Sequence, residues 1–205
     1  MAYSDFITLK QVEETLGVEQ ERKEVFVKKK VRSTKLSKRL SMDLEDATRL
    51  PILSEKAKSE GIIYPILREI NHKNRDFTIF SGYTFEVDKS MSLNGVCDFL
   101  FSADTKSTDI EAPVFCVVEA KNRAIEEGYA QCAAEMYAAY LFNQKQGTDT
   151  KVIYGCVTTA FEWAFLQLEA KKVFIDTERY YLNETGKILT ILQQIIDLYK
   201  PKISP

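Results

Sequence analysis

The feature that most constrains the fold is the apolar run Val114-Phe115-Cys116-Val117-Val118, which stops abruptly at Glu119-Ala120-Lys121. A short run of this kind reads as a buried strand. Side chains alternate faces along a strand, so Glu119 and Lys121 project together from its end. Charged groups at the end of a buried strand need partners. A candidate lies 21 residues upstream, where Asp98 is embedded between Val96-Cys97 and Phe99-Leu100-Phe101. Two carboxylates and a lysine on adjacent strands are the elements that hold a divalent metal beside a phosphodiester.

An acid-x-cation triplet is weak by itself in a chain that is 28% charged, because five occur: at Glu21, Asp104, Glu119, Asp149 and Glu169. Those at Glu21, Asp104 and Asp149 sit in polar surroundings. Glu169-Ala170-Lys171 also ends an apolar strand, but no embedded aspartate strand pairs with it. Glu119-Ala120-Lys121 has Asp98 before it, and behind it a helix carrying Gln131, Glu135 and Tyr137. The bland alternatives are that Asp98 and Lys121 form a structural ion pair and that Gln131 faces solvent.

Punctuation along the chain predicts one main domain over 51–205 with an N-terminal extension over 1–50. The extension reads as a short helical pattern (Phe6, Leu9, Val12, Leu16), a basic, strand-like Val25-Phe26-Val27 region and a polar linker. Ser54 can cap a helix beginning at Glu55. Ala57, Ile63, Ile66, Leu67 and Ile70 continue it roughly at helical period, although Pro65 in its interior should kink it. Tyr83, Phe85 and Val87 alternate with polar residues as in a half-buried strand, and Asn94-Gly95 reads as a tight turn into the Asp98 strand. An alanine-rich helix over about Ile125–Phe142 follows the Glu119 strand. Strands are expected at Val152–Thr158, Trp163–Leu168 and Lys172–Tyr181. A last amphipathic helix with Ile188, Leu192, Ile195 and Tyr199 on one stripe should stop before Pro201. The fold class is therefore α/β, a central mixed sheet flanked by helices.

Composition narrows the chemistry. The single histidine, His72, reads as a surface residue after the first helix and excludes sites built on several imidazoles. Cys97, Cys116, Cys132 and Cys156 lack CxxC spacing and read as buried free thiols in a reducing compartment. No run approaches the ~20 apolar residues of a membrane span, and the N-terminus lacks a signal-peptide pattern, so a cytoplasmic protein with no membrane partner is expected. A net charge of −2 conceals an asymmetry, because residues 21–39 hold nine Lys/Arg against two acids. A basic segment on an acidic body suits a phosphate backbone, or else is a solvated arm.

Gly95-Val96-Cys97-Asp98-Phe99-Leu100 and Val117-Val118-Glu119-Ala120-Lys121 together resemble the aspartate strand and the (D/E)xK strand of the PD-(D/E)XK nuclease superfamily. Gln131 in Gly128-Tyr129-Ala130-Gln131 is similar to the glutamine that follows the lysine in several recombination and repair nucleases. The segment from Ser54-Glu55 to Tyr64-Pro65-Ile66-Leu67 resembles the first helix of nuclease subunits of restriction systems. The resemblance spans about half the chain, Ser54 to Thr158, and closely similar blocks occur in uncharacterised bacterial proteins. It departs from the pattern in having no proline before Asp98.

The resemblance implies a restriction-endonuclease-like sheet and Mg²⁺- or Mn²⁺-dependent hydrolysis of DNA. Asp98, Glu119 and the Ala120 carbonyl would be the metal ligands. Lys121, Gln131 and a first-helix acid would complete the catalytic set, and the sequence leaves Glu55 and Glu60 equally eligible for that last place. Cleavage of both strands of a duplex would favour a two-fold homodimer. The rival reading is a module that binds nucleic acid or protein and keeps the fold without turnover.

Overall fold

A computed structural model of the chain describes residues 2–27 and 30–199. Lys28 and Lys29 of the basic segment, and Pro201, lie outside the described residues.

The buried run forms β4 (Val114–Ala120), every residue of it buried, an interior strand of a seven-stranded mixed sheet. The other strands are β1 (Glu19–Lys23), β2 (Thr78–Asp88), β3 (Leu93–Ser102), β5 (Val152–Thr158), β6 (Glu162–Glu169) and β7 (Lys172–Tyr181). Their order is β1-β7-β6-β5-β4-β3-β2, with β1/β7 and β4/β5 parallel and the remaining pairs antiparallel. The expected strands after residue 150 and the α/β class are thus observed.

Helices cover both faces, as the doubly buried central strands require. On one face lies α5 (Tyr129–Lys145), with α1 (Leu9–Leu16) against it; Ala133 and Met136 pack with Val117, Val157, Val12 and Leu16. Gly155 in β5 permits the close approach of α5, since a Cβ there would collide with Met136 Sδ. The opposite face carries α4 (Tyr64–Asn74) and α6 (Thr185–Tyr199), whose Ile66, Leu67, Ile70, Ile188, Leu192 and Ile195 meet Phe101, Phe115 and Phe165. All four cysteines are buried free thiols.

The first fifty residues are woven into this body rather than appended to it. Thr8 caps α1 in a reciprocal pair with Gln11, the Tyr3 hydroxyl donates to the Phe85 carbonyl at 2.9 Å, and β1 forms a sheet edge. The strand is Glu19–Lys23, not the Val25-Phe26-Val27 region. Val25 and Phe26 instead donate their amides to the Asp176 carboxylate. The stretch read as polar linker contains α2 (Lys38–Arg49), capped by Ser37 and burying only Leu40 and Ala47.

Two local expectations are corrected in a similar way. Asn94-Gly95 is not the turn before the Asp98 strand; both residues lie inside β3. The chain reverses at Lys89–Ser92, where the Asp88 carboxylate caps Ser90 and Ser92 adopts a left-handed conformation. Pro65 is accommodated without breaking the helical rod. Ser54 caps α3 (Glu55–Lys58) as expected, and a π-turn over Ser59–Ile63 joins it to α4. The wider turn falls just where a proline ring and its missing N–H disrupt α-helical bonding.

Candidate functional site

β3 and β4 run antiparallel with Leu100 opposite Val117 and Phe99 opposite Val118. One step further Asp98 comes opposite Glu119, so both acids belong to the same sheet face. That face is covered by α5, because Val117, two residues before Glu119, packs in the core beneath it. Asp98 Oδ2 accepts the Ala120 amide at 2.8 Å, which ties the aspartate to the last residue of β4. The parallel neighbour β5 ends alongside: the Thr158 carbonyl accepts the Lys121 amide at 2.8 Å.

Lys121 is held from two sides. Its Nζ lies 2.6 Å from Glu119 Oε1 and donates to Gln131 Oε1 at 2.9 Å. Gln131 in turn donates through Nε2 to Glu135 Oε1 at 3.0 Å, one helical turn along α5. Gln131 is therefore engaged with the lysine rather than facing solvent. Gly128 opens α5 close to this point, where a Cβ would sit 3.1 Å from Lys121 Cγ and collide with Val157.

Glu135 was not singled out as a site residue by its sequence context, although it sat beside Gln131 in the same helix. Its carboxyl is wholly buried. Glu119 Oε2 and Glu135 Oε2 are both buried and meet no hydrogen-bond partner among the described residues. The two carboxyls lie in each other's field, and the Glu119 charge disfavours ionisation of Glu135.

Burial pushes Glu119 up to about 8; the Asp98 charge adds to this, and Lys121 and Glu135 oppose it. Burial, followed by the Glu119 charge, raises Glu135 far above the usual carboxylate range. Asp98 is raised by burial, partly offset by the Ala120 amide and Lys121. For Lys121, burial pulls the ammonium down, but the charge and hydrogen bond of Glu119, with Glu55 and Asp98, leave it raised overall. The lysine stays charged while the acids beside it compete for protons.

The two first-helix acids separate. Glu55 lies within the field of Lys121 and Asp98, and its pKa is raised chiefly by burial, with the Asp98 charge adding to this and Lys121 opposing it. Glu60 is solvent-exposed, 3.8 Å from Lys56 on the helix surface. The N-terminal turn of this helix is clamped further by Lys58, a buried lysine whose Nζ donates to the Asn122 carbonyl and, at 3.1 Å, to Asn122 Oδ1. Lys58 and Asn122 carried no recognisable signal in the sequence.

Three of the described cations of the basic segment have partners of their own. Arg22 lies in the field of Glu126, Lys23 stacks 3.1 Å over the Phe174 ring, and Arg39 is 3.7 Å from the buried Glu69. Lys30, Arg32, Lys35 and Lys38 are exposed. His72 is exposed near the end of α4, as its sequence context predicts.

Asp98 and Glu119 offer an all-oxygen donor set, with Glu119 Oε2 free of any N–H partner. Among the described residues no group of three or more His, Cys, Asp or Glu is placed to hold a metal unaided. No family profile matches the chain, and no curated protein matches it either. No helix among the described residues is long and apolar enough to cross a membrane.

Proposed function

We propose that the chain is a metal-dependent nuclease of the PD-(D/E)XK type that hydrolyses phosphodiester bonds of DNA. One observation carries this reading: Asp98 and Glu119 come together on facing strands with Lys121 bonded to Glu119 and braced by Gln131. The all-oxygen donor set fits Mg²⁺ or Mn²⁺. A divalent cation held by Asp98 and Glu119 would supply Lewis-acid chemistry, activating water and offsetting charge on the phosphate.

The remaining chemistry belongs to the chain itself. Lys121 presents a compact positive charge where negative charge develops on the phosphate, and Gln131 keeps its ammonium from swinging away. Glu55, whose charge reaches Lys121, helps hold the lysine charged. The exposed Lys30, Arg32, Lys35 and Lys38 are available to DNA phosphates outside the site.

Incubation of the protein with single-stranded, duplex, nicked and branched DNA in Mg²⁺ or Mn²⁺ tests the reading. Cleavage of at least one form is expected, abolished by EDTA and by Asp98→Asn. That substitution keeps an oxygen for the Ala120 amide while removing the charge. A wild-type protein inert on all four forms would favour the binding module without turnover.

A further inference from the structure

The turn between β5 and β6 holds Phe161 in the open. Ala160 adopts a left-handed conformation, φ 73°, that L side chains rarely take. The turn is braced from every side. Ala160 N donates to Thr158 Oγ1 at 2.9 Å, and Thr158 Oγ1 donates to the Glu162 carbonyl at 2.9 Å. Trp163 Nε1 donates to the Ala160 carbonyl at 3.0 Å, and Leu182 N to the Phe161 carbonyl at 2.9 Å. The buried Trp163 and Ala160 anchor a turn whose tip leaves the Phe161 side chain 47% exposed.

A single exposed aromatic is ordinary on a protein surface. Its neighbours set this one apart. Lys58 Nζ lies 5.8 Å from the ring centroid and is bonded to Asn122, the residue after Lys121. Thr158, which opens the turn, accepts the Lys121 amide. An aromatic face, a cation and the acid–lysine cluster thus share one lip at the carboxyl ends of the parallel strands β4 and β5. A strained, over-determined backbone at such a place is where function is expected.

We propose that Phe161 is a stacking platform for an unpaired base of a DNA strand whose phosphate lies at the Asp98–Glu119–Lys121 cluster. This rests on the nuclease reading and adds a substrate class to it: single-stranded DNA, or a duplex with a frayed or unpaired segment. Base faces inside a duplex are already stacked, and a ring on a short, rigid turn reaches only a base that has left the stack.

Equilibrium binding of fluorescent oligonucleotides in EDTA, where no strand is cut, separates this proposal from the nuclease reading. The wild type should bind a mixed-sequence single strand more tightly than a blunt duplex of the same sequence. Phe161→Ala should weaken single-strand binding about 5- to 100-fold, the range of one lost base stack, with duplex binding unchanged. Phe161→Trp should restore it. The side chain is half exposed, so unchanged melting of both variants is the accompanying control. Equal single-strand affinity of Phe161→Ala and wild type overturns the platform, whatever the cleavage result. Phe161-dependent binding without cleavage in Mg²⁺ or Mn²⁺ keeps the platform and removes the nuclease. A wild type that binds neither form overturns the platform, and cleavage in Mg²⁺ or Mn²⁺ then decides the nuclease reading by itself.

Discussion

Lys121→Met is expected to lower the rate of DNA hydrolysis by about 100- to 1000-fold, the usual effect of removing one group aimed at developing charge. Affinity for DNA should change little, because the interaction lost is made chiefly in the transition state. The side chain is also a structural partner of Glu119, so stability must be followed separately. Breaking a buried ion pair that keeps its remaining charge costs about 3–5 kcal/mol. Glu119, whose pKa is already raised to about 8, can take up a proton instead. A carboxyl with a raised folded pKa contributes stability fully below its unfolded value, and that contribution is lost as pH rises through the folded one. Without Lys121 the folded value rises further. The variant should therefore melt close to wild type near pH 6 and progressively below it toward pH 9. Undiminished hydrolysis by a well-folded variant would remove the lysine from the mechanism.

Glu135→Leu is expected to separate stability from activity. Burial and the Glu119 charge both raise the Glu135 pKa, so the metal-free wild type should lose stability as pH rises from about 4.5, the ordinary glutamate value, through about 8, where Glu119 titrates. Leucine removes one of the two competing acids. Apolar replacement of a buried ionic group is often neutral or stabilising by 1–4 kcal/mol. At roughly 2–4 °C per kcal/mol for a chain of this size, the variant should melt several degrees above wild type at pH 8. The advantage should shrink toward pH 5, where the wild-type acids are protonated and the variant still lacks the bond from Gln131. Activity should fall about 10-fold or more, the usual cost of losing an outer support of a metal or catalytic group. Here the loss follows because Glu135 is what turns the Gln131 amide so that its oxygen faces Lys121. A variant that melts below wild type at pH 8 would show that Glu135 is not held at a raised pKa.

The parts of this arrangement written in sequence are those with local signals. The apolar run of β4, the alanine-rich α5 and the Ser54 cap each carry their own periodicity or propensity, and they bring Asp98, Glu119, Lys121 and Gln131 within reach of one another. What escaped has no such signal. The edge strand β1, Glu-Gln-Glu-Arg-Lys, is largely exposed and shows no alternation; its pairing with β7 comes from tertiary context. Helix α2 buries too few residues for a helical stripe to stand out. The choice between Glu55 and Glu60 turned on the π-turn at Ser59–Ile63, which adds a residue to one turn and so rotates every later position relative to those before it. Glu135 was hidden because α5 is buried nearly all round, leaving no polar face to betray a functional acid.

The central claim is that Asp98 and Glu119 together hold a divalent ion, and calorimetric titration of Mn²⁺ or Mg²⁺ into wild type and Asp98→Asn tests it most directly. The wild type should take up the ion with an affinity that rises between about pH 6 and 8 and with release of a proton, because Glu119 must be deprotonated to ligate. Asp98→Asn, folded and with the Ala120 amide still satisfied, should give no binding heat. A wild type that binds no ion, or an Asp98→Asn variant that binds it equally well, would contradict the account.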